Sequence, residues 1–165
     1  MLAALELTEK FARENPVDAQ RIYALGFSMG GSAAWLAPTL KPNLFAAIMP
    51  ISGICATNES AALLKDLPIW VMHGNADDEN PIVADRRLTK QIMNVGGKRI
   101  LFREYEGLAH QLHADMYPGT WWRDWLFRQR FSNKRCDSTT FLCRRPSALR
   151  LAWSRTRDGI TSRSQ

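Results

Sequence analysis

Arg21-Ile22-Tyr23-Ala24-Leu25-Gly26-Phe27-Ser28-Met29-Gly30-Gly31 is the stretch that decides how this chain is read. Its first five residues read as a short strand. The residues from Gly31 to Ala37 read as a helix. A Gly-x-Ser-x-Gly between a strand and a helix is a sharp turn that lifts the serine hydroxyl clear of the backbone. The turn crowds the chain, so glycines two residues before and two after Ser28 are expected to remove Cβ atoms that would clash. The helix beginning at the turn directs unpaired N–H groups toward the serine, where negative charge would develop.

Outward from this turn, strands and helices alternate. Residues 1–13 have helical spacing, with Leu2, Leu5 and Ala12 on one face, and Asn15-Pro16 ends the helix. Pro38 is expected to stop the helix after the turn. Leu44 to Met49, bounded by Pro42 and Pro50, reads as a buried strand, as does Pro68 to Met72. Ile82 to Val95 reads as a helix closed by Gly96-Gly97. Arg99 to Tyr105 reads as a fourth strand, and Trp121 to Arg130 as a last amphipathic helix. The alternation predicts an α/β fold of about four parallel strands, joined by right-handed crossovers and flanked by helices on both faces.

The net charge of +6 does not belong to this pattern. Residues 1–130 hold 14 basic and 14 acidic side chains, whereas residues 131–165 hold 8 basic and 2 acidic ones. We therefore divide the chain into an α/β part, residues 1–130, and a basic, Arg- and Ser-rich tail, residues 131–165. The tail reads as disordered or non-native sequence. A nucleic-acid partner is not expected, because the tail lacks interleaved stacking aromatics. No apolar run approaches the roughly 20 residues that a membrane span needs. Cys55, Cys136 and Cys143 form no Cys-x-x-Cys pair, so neither a disulfide framework nor a zinc site is expected.

A serine hydroxyl needs a base, and the base needs an acid to orient it. Both are expected in loops after strands, where the strand C-termini share one edge of the sheet. The third strand runs into His73-Gly74-Asn75-Ala76-Asp77-Asp78-Glu79-Asn80-Pro81. Asp77 is the candidate acid; Asp78 and Glu79 read as carboxylates capping the next helix. His73 reads as a structural histidine bonded to its own loop. The fourth strand runs into Glu106-Gly107-Leu108-Ala109-His110-Gln111-Leu112-His113. His110 is the candidate base, with His113 as the alternative. Trp35 and Ser52 are further residues near the expected pocket.

Gly26-Phe27-Ser28-Met29-Gly30-Gly31, His73-Gly74-x-x-Asp77-x-x-x-Pro81 and Tyr105-x-Gly107-x-x-His110 together resemble serine α/β-hydrolases. The resemblance is to the phospholipase/carboxylesterase, polyhydroxybutyrate-depolymerase-like and prolyl-oligopeptidase-like esterases, over roughly residues 1–130. It implies Ser28 as nucleophile, Asp77 as acid, His110 as base and Met29 as the donor of one oxyanion-hole N–H. The implied reaction is hydrolysis of a small-molecule carboxylic ester through an acyl-enzyme, without metal or cofactor. The chain departs from that family at the base, where Ala109 stands in place of a glycine. It departs more at the front, where one helix alone precedes the elbow strand. It therefore reads as the C-terminal half of a hydrolase with the N-terminal strands absent. A non-catalytic fragment or interaction module is the competing reading; a peptidase and a basic-tail nucleic-acid binder stand further back.

Overall fold

The structure is a computed structural model and describes residues 1–54 and 60–131. The basic tail beyond residue 131 and all three cysteines lie outside the described residues. The elements run α1 (Leu2–Glu14), β1 (Tyr23–Phe27), α2 (Met29–Leu40), β2 (Ala47–Ile51), α3 (Ala61–Leu64), β3 (Ile69–Gly74), α4 (Val83–Asn94), β4 (Ile100–Tyr105), a 3₁₀ turn (Ala114–Met116) and α5 (Trp121–Arg128). The four strands form one parallel sheet in the order β1-β2-β3-β4, which gives the α/β fold expected from the alternation.

Sequential parallel strands linked by crossovers of one hand place α2, α3 and α4 on the same face of the sheet. There α2 lies on β1 and β2, α3 bridges α2 and α4, and α4 lies against β4. The opposite face is closed by α5. Ala47, Met49, Ile51, Met72 and Tyr105 pack with Leu126 of α5, and Trp70, Trp121 and Trp125 flank them. Trp70 meets Trp121 and Trp125 with ring centroids 5.1 and 5.2 Å apart. Side chains alternate along a strand, so β2 feeds both cores, and all five of its residues are buried.

Two prolines act differently from the sequence expectation. Pro38 does not stop α2, which continues to Leu40. Pro38 sits in the last turn and is buried, so packing offsets the single helical bond it forgoes, and the chain leaves the helix at Lys41. Pro50 does not bound β2 but lies inside it, paired with Gly26 of β1. Ile48 N–H donates to Pro68 O and Ser52 N–H donates to Met72 O, so the even residues of β2 face β3. Pro50 shares that parity and has no N–H to give. The β2–β3 ladder accordingly shows partners at Ile48↔Ile69 and Ile51↔Met72 and a gap between them.

The start of α2 approaches the end of β2 closely enough to require glycine. A Cβ on Gly53 would lie under 3.0 Å from Gly31 C, Gly31 Cα and Ser32 N, all of them backbone. Backbone on both sides cannot move aside without shifting the helix that begins at Met29. Gly53→Ala is expected to destabilise the fold by about 3 kcal/mol, read as a fall in the urea midpoint at unchanged slope.

Candidate active site

The nucleophile candidate stands where β1 turns into α2. Ser28 has φ 56° and ψ −119°, a conformation that a non-glycine residue holds only under strain. The strain is held by bonds on both sides: Ser28 N–H donates to Ile51 O at 2.9 Å, and Ser32 N–H donates to Ser28 O at 3.0 Å. Gly26 is the glycine that the turn requires, since a Cβ there would lie 2.5 Å from Gly30 C and O. The expectation for Gly30 does not hold: a Cβ at that position would meet nothing within 4 Å. The crowding runs from position 26 onto the backbone of Gly30, because Gly30 has already turned into the helix. Met29 is the first residue of α2, so its N–H has no acceptor within the helix, and its side chain is exposed.

The loops after β3 and β4 are tied to each other. Asn75 N–H donates to Tyr105 O at 3.0 Å and Ala76 N–H donates to Leu108 O at 3.1 Å. The Asn75 side chain accepts from Gly107 N–H at 2.8 Å and donates to Glu106 at 2.7 Å. Ala109 is not among the described residues of positive φ, so it fits where a glycine was expected. Asn75 ties the two loops together, a link that the sequence did not reveal. An asparagine in a turn carries no mark of the strand end, thirty residues away, that it bridges.

The structure brings Ser28, His110 and Asp77 into one row. His110 Nε2 lies 2.8 Å from Ser28 Oγ, and His110 Nδ1 lies 2.8 Å from Asp77 Oδ2. Phe27 stands beside the imidazole, with ring centroids 4.9 Å apart. Asp77 is buried, and its Oδ1 accepts from Glu79 N–H at 3.1 Å and Asn80 N–H at 2.8 Å. Burial pushes the Asp77 carboxyl up. The Asn80 N–H, the bond from His110 and the charges of His110 and His73 outweigh it and hold the carboxyl below its ordinary value. Asp78 is exposed. Glu79 is also exposed, and its carboxylate lies 3.9 Å from His110 Nε2. His113 is engaged elsewhere: it stacks on Tyr105 at 4.1 Å and lies 2.8 Å from Asp115.

Beneath the row lies a second buried group. His73 Nε2 is 2.8 Å from Asn80 O and 3.3 Å from Asp77 Oδ2, while His73 Nδ1 is 2.9 Å from Asp85 Oδ2. Trp35 is buried, and its Nε1–H donates to Asp85 Oδ1 at 2.9 Å. Ser52 is buried with φ 46°, and its carbonyl accepts from Asn80 Nδ2 at 2.8 Å. Among the described residues no group of three or more His, Cys, Asp or Glu could hold a metal ion, and no helix is long and apolar enough to cross a membrane.

Comparison with known proteins agrees with the fold. Residues 5–117 match the family described as phospholipase/carboxylesterase. A stretch of 73 residues is 34% identical to the bifunctional acetylxylan esterase/xylanase XynS20E of Neocallimastix patriciarum, over 44% of this chain and 11% of that protein. The structure superposes on that of a thermostable esterase with a TM-score of 0.72 and 34% identity, over 78% of this chain and 36% of that one. It superposes on Zea mays acyl-protein thioesterase 2 with a TM-score of 0.61 and 20% identity, over 76% of this chain and 64% of that one. The chain thus spans about a third of the thermostable esterase and about a tenth of XynS20E.

Proposed function

The chain belongs to the phospholipase/carboxylesterase family, and from that membership we propose that it is a serine hydrolase of small carboxylic esters. The observation that carries the reading is the row Ser28–His110–Asp77, with both links at 2.8 Å, at the C-terminal edge of a parallel sheet. In this reading His110 Nε2 takes the Ser28 Oγ proton as the oxygen attacks the ester carbonyl. Asp77 accepts the bond from Nδ1–H, which fixes the tautomer and faces the imidazolium that forms. The Met29 N–H supplies one donor to the oxyanion, a contribution of about 3–4 kcal/mol to the barrier. His110 returns the proton to the departing alcohol, leaving an acyl-Ser28. Water then repeats the sequence, with His110 first as base and then as acid, and releases the carboxylic acid. In this reading the catalytic part is residues 1–130.

The test is covalent. A fluorophosphonate probe is expected to label the folded chain once, on the peptide containing Ser28, and p-nitrophenyl acetate is expected to turn over. A folded sample that neither labels nor turns over would overturn the reading.

A further inference from the structure

The buried histidine under the candidate triad has more acceptors around it than a neutral ring can use. Asn80 O, 2.8 Å from Nε2, is a carbonyl and can only accept, so Nε2 carries a proton. Asp85 Oδ2 lies 2.9 Å from Nδ1, and the other oxygen of Asp85 is already occupied by the Trp35 indole N–H. Asp77 Oδ2 adds a second carboxylate, 3.3 Å from Nε2. His73 and Asp85 are fully shielded from solvent, at 1% and 0% exposure. With a neutral His73, two carboxylates would be buried against one another's field with no cation between them.

We propose that His73 is a positioning residue of the site, a buried imidazolium donating to Asp85 and Asn80 that keeps Asp77 ionised beneath His110. The proposal rests on the serine-hydrolase reading for its link to catalysis, but the protonation of His73 stands apart from it. Burial pushes His73 down; the Asp85 bond, the Asn80 carbonyl and the charges of Asp85 and Asp77 outweigh it and hold the ring above the ordinary histidine value. Burial also raises the Asp85 carboxyl above its ordinary value, so Asp85 and His73 compete for one proton. The carbonyl at Nε2 and the second carboxylate, Asp77, favour the ring. From the neighbouring strand Glu104 pairs with His73 in register and adds negative charge, itself matched by Arg86. The network also joins the parts that must stay aligned. Trp35 lies on the helix that begins at the nucleophile, Asp85 on α4, His73 on β3 and Asp77 in the acid loop.

The test uses the full chain, whose three histidines make side-chain NMR tractable. Nitrogen–proton correlation spectra are expected to show both ring nitrogens of His73 protonated at about pH 8, where a free imidazole has lost its second proton. Asp85→Asn is expected to leave one of the two unprotonated at that pH. Ring nitrogens of His73 and His110 both contact Asp77 Oδ2, at 3.3 and 2.8 Å, so they lie within roughly 6 Å of each other, close enough for two charges to interact. A cation at His73 opposes the cation that forms when the base is protonated. His73→Gln is therefore expected to move the acid limb of kcat/KM up by about one pH unit, and Asp85→Asn is expected to move it the same way. A residue that merely fills space would lower the rate at every pH and leave the limb where it was. An unprotonated ring nitrogen in the native chain at about pH 8, or an unmoved limb in folded variants, would overturn the proposal. If Ser28→Ala keeps full turnover, the serine-hydrolase reading fails while the NMR result still decides the state of His73.

Discussion

Ser28→Ala is expected to lower kcat on a short p-nitrophenyl ester by about 10⁴-fold or more, with the fold intact. In the proposed reaction the hydroxyl is the atom that becomes bonded to the acyl group, so no neighbouring side chain substitutes for it. What remains after its loss is whatever the Met29 N–H and ester binding contribute alone. The variant is informative because its structural cost is small. Ser28 Oγ bonds His110, whereas the bonds that hold the turn run through the Ser28 backbone N–H and C=O and survive in alanine. Stability should change by no more than about 1 kcal/mol, checked by thermal unfolding. Ser28→Gly sharpens the point: at φ 56° glycine relieves strain, so it should lose the same activity while unfolding at a temperature no lower than the alanine variant. Activity retained in both variants would place the nucleophile elsewhere.

The sheet was the legible part of this chain. Short apolar runs between turn residues marked each strand, and their alternation with helices implied the parallel order that the structure has. What the pattern misjudged was proline. Pro38 and Pro50 are ordinary stop signals read locally, but burial in α2 and β2 overrides that local preference. Within the candidate site the serine was visible because its turn needs glycine at position 26, a constraint within one short segment. The candidate acid and base were visible only as loops. Asp77 stands apart from Asp78 because backbone N–H groups of Glu79 and Asn80 fold around one of its oxygens. His110 and His113 are three residues apart, and a ring stack on Tyr105 separates their environments. Asn75 and Asp85 were invisible, and Trp35 was read as near the pocket and not as the partner of Asp85. Each acts across a gap of tens of residues, and none is spaced along the chain in a way that reports the partner.

Asp77→Asn is expected to lower kcat by about 10⁴-fold at neutral pH, and the reason lies in how the carboxylate is held. Oδ1 accepts two backbone N–H groups, from Glu79 and Asn80. An asparagine must keep its oxygen there, because its NH₂ cannot face two donors. The NH₂ then points at His110 Nδ1 and donates to it. The ring adopts the other tautomer and presents Nε2–H, a donor, to Ser28 Oγ. The geometry of the row is preserved and its base is gone, so KM should change little while kcat collapses. Stability carries an independent signature. The folded Asp77 carboxyl lies below its ordinary value of 3.8, so its ionised form stabilises the native state above that value. The contribution is lost as pH falls through the folded value. The native chain should therefore be more stable than Asp77→Asn at neutral pH, with the gap closing below about pH 4, measured by urea unfolding across pH. An asparagine variant within tenfold of native activity would move the orienting role to another carboxylate, and Glu79, 3.9 Å from His110 Nε2, is the one in reach. Glu79 approaches the wrong nitrogen for that role. It faces the side of the ring that must stay open to Ser28, so the geometry favours Asp77.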